Sequence, residues 1–332
     1  MPCLLHSYMM NGHRNRTRIV LKAILQSVVA LCFAMSVAAS GLHRVAVVTS
    51  DTHASSKRTV NGAKKTIKRE YPDSEFRQFQ INRNDASNRK IVDSIRLFNP
   101  SLILTVGSSA TEFAREHFDD VPTVFAAVMY PELSGFVESL NRPGGKMTGA
   151  SLNVPVTVQF NYFKQVVPHL RRMGVLYTKN TASLIPPARI VAHEMGIELV
   201  SVLVNKARDL PKSLDSLAAT VDGIWSVADP VLFTPQSTRY ILLNTVRKGI
   251  PFMGFSRHVV ESGALFALDF DYKAIGFQAG EIACAILDGA KPANIRVTSA
   301  DVIWFHYNEN TARRLKLDIP EELIAIAREV YR

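Results

Sequence analysis

The side chains of this sequence that could do chemistry gather in short polar segments placed directly after apolar, β-branched runs. Ser50-Asp51-Thr52-His53-Ala54-Ser55-Ser56 follows RVAVVT (44–49) and can offer hydroxyls and backbone N–H groups to a ligand carboxylate or phosphate. The same serines serve as ordinary helix N-caps. Gly107-Ser108-Ser109-Ala110-Thr111 follows LILTV (102–106) and fits the nucleophile-elbow pattern G-x-S-x-G, except that Thr111 replaces the second glycine. With His258 and His306 downstream as bases, an α/β serine hydrolase acting through Ser109 stays an alternative. Serines at a helix N-terminus also hold anions without covalent chemistry. Met129-Tyr130-Pro131 presents a phenol that can stack on a ligand or hydrogen-bond to it. Asp229, after GIWSV (223–227), can accept from a ligand ammonium or organise an Asp-Pro turn. Asp269 and Asp271 offer the same choice after LFAL (265–268). On the ligand reading, Asp229→Ala weakens binding and leaves the melting of the empty protein nearly unchanged.

Other chemistries lack their patterns. Neither G-x-G-x-x-G nor G-x-x-x-x-G-K-[ST] occurs, so the first loop is not a dinucleotide or P-loop fingerprint. His193-Glu194 opens like a zincin motif, but position 197 is Ile197, and the nine histidines show no ligand spacing. No metal, cofactor or catalytic residue is expected.

The elements that must position these segments alternate. Strand candidates are Arg44–Thr49, Glu75–Ile81, Leu102–Val106, Thr123–Val128 and Met147–Leu152, then Met173–Tyr177, Ile197–Leu203, Gly223–Val227, Pro251–Gly254 and Ala264–Leu268. Between them the apolar period becomes helical, over Ser56–Tyr71, Ala86–Phe98, Ala110–His117, Thr157–Val167, Pro187–Met195 and Gln236–Arg247. A longer helix, Ala274–Leu287, then a strand, Asp301–His306, and a final helix after Ile319-Pro320-Glu321 complete the chain. Continuous apolar strands alternating with helices imply parallel sheets covered on both faces. The first four strand starts recur in the second half at offsets of 121 to 129 residues, which predicts two similar doubly wound lobes. Ligands then belong at the carboxyl ends of the strands, in the cleft between lobes.

A formal charge of +10 on 332 residues suggests nucleic acid until it is divided along the chain. Residues 1–40 hold Arg14, Arg16, Arg18 and Lys22 and no acid, leaving 35 basic and 29 acidic groups, a net of +6, in the remainder. Lys64-Lys65-Thr66-Ile67-Lys68-Arg69 has the spacing of a solvated helix face, and no nucleic-acid partner is expected. Basic residues, the apolar stretch Ala23 to Val37, then Ala38-Ala39-Ser40 read as a signal peptide over 1–40, with an uncleaved anchor as the alternative. Cys3 and Cys32 fall within it, so Cys284 stands alone in the mature chain and forms no internal disulfide.

Taken in order, these segments resemble the extracytoplasmic substrate-binding proteins of ABC transporters, specifically the tryptophan/tyrosine type. Val121-Pro122-Thr123-Val124-Phe125, Gly135-Phe136-Val137, Pro143-Gly144-Gly145-Lys146-Met147-Thr148-Gly149-Ala150-Ser151 and Val167-Pro168 carry the likeness. Gly174-Val175-Leu176-Tyr177, Asp271-Tyr272, Ile286-Leu287-Asp288-Gly289-Ala290-Lys291-Pro292 and Ile319-Pro320 extend it towards Arg328. The resemblance implies an α/β fold of two doubly wound parallel-sheet lobes joined by a hinge, of the type I periplasmic-binding-protein kind, with three hinge crossings. The expected lobes are 41–155 plus 275–300 and 156–274 plus 301–332. It also implies that Ser50, Ser108, Ser109, Ser151 and Asp229 line the cleft; Asp51, Tyr130 and Asp269 join them from the loop reading. At Tyr130 that family commonly has Asp, so ligand identity is not carried over. The expected protein is a periplasmic monomer that captures a small polar ligand, an amino acid among the candidates, and delivers it to an ABC transporter permease. A ligand-sensing module for a membrane signalling partner is the remaining alternative.

Overall fold

The first apolar run, Val45-Ala46-Val47-Val48, has no polar face to turn outward, so it must be covered on both sides. All four residues are fully buried. They lie in β1 (Arg44–Thr49), and their alternation assigns them to two cores. Val45 and Val47 meet α1 (Ala54–Glu70) and α9 (Tyr272–Leu287) on one face. Ala46 and Val48 meet α2 (Asn88–Phe98) and α3 (Ser108–His117) on the other. The computed structural model describes residues 42–82 and 88–332. The signal-peptide segment 1–40 and the first two residues of the expected helix Ala86–Phe98 lie outside the described residues.

Strands β2 (Glu75–Gln80), β3 (Leu102–Val106), β4 (Thr123–Val128) and β5 (Met147–Ser151) join β1 in a five-stranded sheet of order β2-β1-β3-β4-β5. Every pairing in it is parallel. After β5 the chain passes through α4 (Val156–Val166) into β6 (Arg172–Tyr177), α5 (Ile185–Glu194), β7 (Glu198–Leu203), α6 (Leu210–Ala218) and β8 (Gly223–Ser226). It continues through α7 (Pro235–Arg247), β9 (Phe252–Gly254), α8 (Arg257–Glu261) and β10 (Phe266–Phe270). After α9 come β11 (Ile303–Asn308), α10 (Glu309–Leu315), α11 (Glu321–Ala325) and β12 (Ala327–Tyr331). The second sheet has seven strands in the order β12-β11-β10-β9-β8-β6-β7.

Two features differ from the sequence expectation. β11 runs antiparallel to β10, so the second sheet is not wholly parallel. β10 leaves its sheet at its carboxyl end to feed α9, and the chain returns beside that same end, where Asp271 N–H donates to Val302 C=O at 3.2 Å; β11 must therefore run back the other way. The segment after Ile319-Pro320 is helical only over Glu321–Ala325, and the chain ends in a parallel edge strand on β11. Glu329 ties that strand to α8 by accepting from Arg257 Nη1 at 3.2 Å, and it also accepts from Tyr331 Oη at 2.5 Å.

The contact that returns the chain to the first sheet is between α1 and α9. A Cβ on Gly276 would lie 2.2 Å from Thr59 O, and one on Gly62 would lie 2.5 Å from Lys273 O, so the two backbones touch because neither residue has a side chain. Apolar Ile275, Ala279, Ile282, Ala283 and Ile286 of α9 are buried in the same core. Beyond it, Thr298 N–H donates to Gly149 C=O at 3.0 Å, and Ser151 N–H donates to Thr298 C=O at 2.8 Å, which ties the returning chain to β5.

Gly276→Ala is expected to force the helices apart at a cost of about 2 kcal/mol, lowering Tm by about 4 °C in calorimetry. Gly145→Ala, where an added Cβ meets nothing within 4 Å, is expected to leave Tm unchanged.

Candidate functional site

The carboxyl ends of β4, β5, β8, β9 and β10 converge where the chain passes between the two sheets. They enclose a chamber of about 30 Å³, room for about one or two water molecules. Met129 and Tyr130 after β4, with Leu152, Asn153 and Val154 after β5, line it from the first sheet. From the second come Gln159 of α4, Ser226 and Ala228 at β8, Met253, Gly254 and Phe255 at β9, and Leu268 and Phe270 of β10.

The end of β4 is irregular. Its pairing with β5 shifts between Ala126 and Val128, and Ala127 and Tyr130 have φ of 57° and 52°. Left-handed conformation at residues with a Cβ costs on the order of 1 kcal/mol each, and such bulges re-aim the side chains that follow them. Asn153 Oδ1 accepts from Tyr130 N–H at 2.9 Å and holds this turn in place. Burial pushes the Tyr130 phenol up to about 12, with the Ala228 backbone pulling the other way, and Tyr130 and Ala228 line the same chamber from the two sheets. Across the chamber, Gln159 accepts from Trp225 Nε1 at 2.7 Å and donates to Val154 C=O at 2.8 Å. Ser226 Oγ donates to Met253 C=O at 2.7 Å.

Of the residues proposed from sequence, Tyr130 lines this chamber. Ser50 and Asp51 follow β1, where Asp51 Oδ1 accepts from His53 N–H at 2.9 Å just ahead of α1. Ser108 and Ser109 open α3 beside a separate open groove of about 600 Å³, shared with Phe113, Glu116 and His117. The bases considered for Ser109 sit on elements of the other sheet: His258 faces Glu261 at 3.4 Å, and buried His306 stands 3.6 Å from Glu329. Ser151 is fully buried; its Oγ donates to Thr298 C=O at 3.0 Å and accepts from Asn153 N–H at 3.3 Å.

Asp229 is 1% exposed and saturated. Oδ2 accepts from Thr178 N–H at 3.3 Å, Thr178 Oγ1 at 2.6 Å and Thr181 Oγ1 at 2.8 Å. Oδ1 accepts from Val231 N–H at 3.0 Å and Leu232 N–H at 3.2 Å. Burial pushes its pKa up, but the hydrogen bonds from Thr178, Thr181, Leu232 and Val231 together outweigh it and hold the carboxyl below its ordinary value. Asp269 is also buried, accepting from Arg257 N–H at 3.2 Å and Phe270 N–H at 2.8 Å. Asp271 caps α9 through Lys273 N–H at 2.8 Å. No group of three or more His, Cys, Asp or Glu able to hold a metal occurs among the described residues. Burial pushes the Cys284 thiol up to about 11, which keeps it protonated and unreactive.

The loop chemistry read from sequence located the strand ends, but not the partners. The bulge at Ala127 and the roles of Asn153 and Gln159 carried no motif; the turn-forming Asn153-Val154-Pro155 was the one available hint.

A family model described as ABC transporter substrate binding protein matches residues 44–331. The tyrosine-binding protein of Clostridioides difficile is 25% identical over 243 residues, covering 72% of this chain and 70% of that protein. A ligand-free, open substrate-binding protein with adhesive properties from Clostridium difficile aligns with a TM-score of 0.71 at 20% identity, over 87% of this chain and 99% of that one. An ABC domain from Streptococcus pneumonia in complex with L-Trp aligns with a TM-score of 0.64 at 21% identity, over 87% and 100%. The architecture is that of type I periplasmic binding proteins.

The five donors on Asp229 reverse the expectation for its removal. Asp229→Ala leaves them buried and unmatched and is expected to cost about 3 kcal/mol, lowering the Tm of the empty protein by about 6 °C. Because the folded-state pKa lies below the unfolded value of about 3.9, the carboxylate's stabilisation is complete above that value and is lost as pH falls through the folded one. Thermal melts of wild type and Asp229→Asn are therefore expected to converge only as pH falls below about 3.9.

Proposed function

The chain belongs to the ABC transporter substrate-binding protein family, and from that premise we propose that it captures a small polar molecule between its lobes, outside the cytoplasm, and delivers it to a membrane permease. The observation that carries this reading is the chamber itself: residues from both sheets line one space at the point where the chain passes between them. A ligand held there touches both lobes at once, so binding favours the closed arrangement by the difference in contacts between closed and open forms. The present volume of about 30 Å³ is far below that of an amino acid, so the lobes part to admit one. The lobes are 41–155 plus 275–300 and 156–274 plus 301–332, and the protein works as a monomer. No helix among the described residues is long and apolar enough to cross a membrane, and export depends on the signal peptide at 1–40. The names of the relatives, one binding tyrosine and one bound to L-Trp, make amino acids the first class to test.

A thermal-shift screen of amino acids and small metabolites is expected to yield a stabilising ligand, and small-angle scattering at saturation is expected to show a change in radius of gyration. An unchanged radius at saturation removes lobe closure. Capture of a membrane permease from solubilised membranes by the liganded protein supports delivery, whereas capture of a signalling receptor in its place supports sensing.

A further inference from the structure

We propose that His306 is an acid-operated switch: on taking up a proton it draws Glu329 away from Arg257, and so unfastens α8 and the loop ahead of it from the C-terminal strand. His306 lies on β11, 1% exposed, with neither ring nitrogen hydrogen-bonded among the described residues. Asn308, two residues on and so on the same face, donates to Val260 C=O of α8 at 3.0 Å. His306 Nδ1 stands 3.6 Å from Glu329 Oε2, just outside hydrogen-bond reach. The bulge between β11 and β12 produces that approach. Phe305 pairs with Ala327 but His306 with Glu329, so Arg328 is the extra residue, and its guanidinium lies over the Trp304 ring at 4.8 Å. Bulges re-aim the side chains beside them, and this one turns Glu329 in against the imidazole.

The carboxylates around the imidazole are already engaged. Glu329 accepts from Arg257 Nη1 at 3.2 and 3.4 Å on its two oxygens and from Tyr331 Oη at 2.5 Å on Oε2. Asp269 of β10 accepts from the N–H groups of Arg257 and Phe270. On α8, exposed His258 and Glu261 face each other at 3.4 Å, and Glu309 of α10 pairs with Arg313 and Arg332. The opposite face of β11 carries Phe305 and Tyr307 into an apolar core. Burial holds His306 below the ordinary imidazole value; Asp269 and Glu329 pull it up, and Arg257 and Arg328 push it down. An imidazolium enclosed here needs an anionic acceptor. Glu329 Oε2 is the one in reach, and it shares that oxygen with Tyr331 and Arg257, so closing on His306 loosens Arg257.

Arg257 opens α8, and Gly254 and Phe255 just ahead of it line the chamber. Its release therefore frees one chamber wall together with β12. The effect of this on a ligand rests on the inter-lobe reading, whereas the switch stands on contacts within the second sheet alone. Because the folded-state value lies below the unfolded value of about 6.5, the neutral imidazole's stabilisation is complete above that value and declines as pH falls from it towards the folded one.

Hydrogen exchange of the full chain at about pH 7.5 and about pH 5.5, corrected for the intrinsic pH dependence of exchange, reads the switch directly. Peptides from 252–261 and from Ala327–Tyr331 are expected to exchange about 5-fold or more faster at the lower pH, with Arg172–Tyr177 of β6 unchanged. His306→Phe and His306→Gln, which cannot take up the proton, are expected to remove the acid response. Glu329→Gln is expected to show the faster exchange already at the higher pH. His258→Gln, exposed on α8, is expected to respond as wild type does. Equal exchange of wild type at both pH values overturns the proposal, as does an acid response that survives in both His306 variants or disappears in His258→Gln. Should neither His306 variant fold, Glu329→Gln decides: exchange like that of wild type at both pH values overturns the proposal. No readout here requires a ligand, so failure of the switch and failure of the inter-lobe reading are separate results.

Discussion

The backbone contact between α1 and α9 is the constraint from which the rest of this architecture follows. Gly62 and Gly276 let the helices approach until Cβ atoms would collide with main-chain oxygens, and the apolar face of α9 completes the core beneath β1 and β3. A segment whose neighbours in sequence, β10 and β11, both belong to the seven-stranded sheet is thereby held on the five-stranded one. The chain has to leave and return at the same end of β10. That return makes β11 antiparallel and gathers the crossings beside the chamber.

Around those crossings, carboxylates organise the backbone. Loops at the carboxyl ends of parallel strands leave N–H groups without sheet partners, and Asp51, Asp229, Asp269 and Asp271 satisfy several of them. A buried carboxylate with this many donors is stabilised as an anion and has little capacity left for a ligand. The same residue type at the same strand ends can therefore build a binding site in one protein and a turn in another. Members of one fold family keep the architecture while the chemistry of the cleft depends on the few side chains that reach it.

The bulge at Ala127 and the left-handed Tyr130 make the complementary point. Backbone in that region is unfavourable for residues with a Cβ, and it persists because Asn153 and the strand pairing on either side hold it. Its consequence is that Tyr130 lines the chamber between the two sheets.

Much of this protein was determined by local pattern. β1, β3 and β4 lie at the residues their apolar runs marked, because a continuous β-branched segment has few ways to hide both faces other than a parallel sheet. The helices followed from their apolar period, and the repeat in strand spacing from the two lobes. Tertiary structure decided the rest. The direction of β11 depends on where a distant helix docks, and the short β12 on an edge and an arginine 72 residues away in sequence. Whether Asp229 meets a ligand or Thr178 depends on a residue 51 positions earlier. Composition and spacing record what a side chain can do; which partner it meets is set by long-range packing, and that is not encoded in its immediate neighbours.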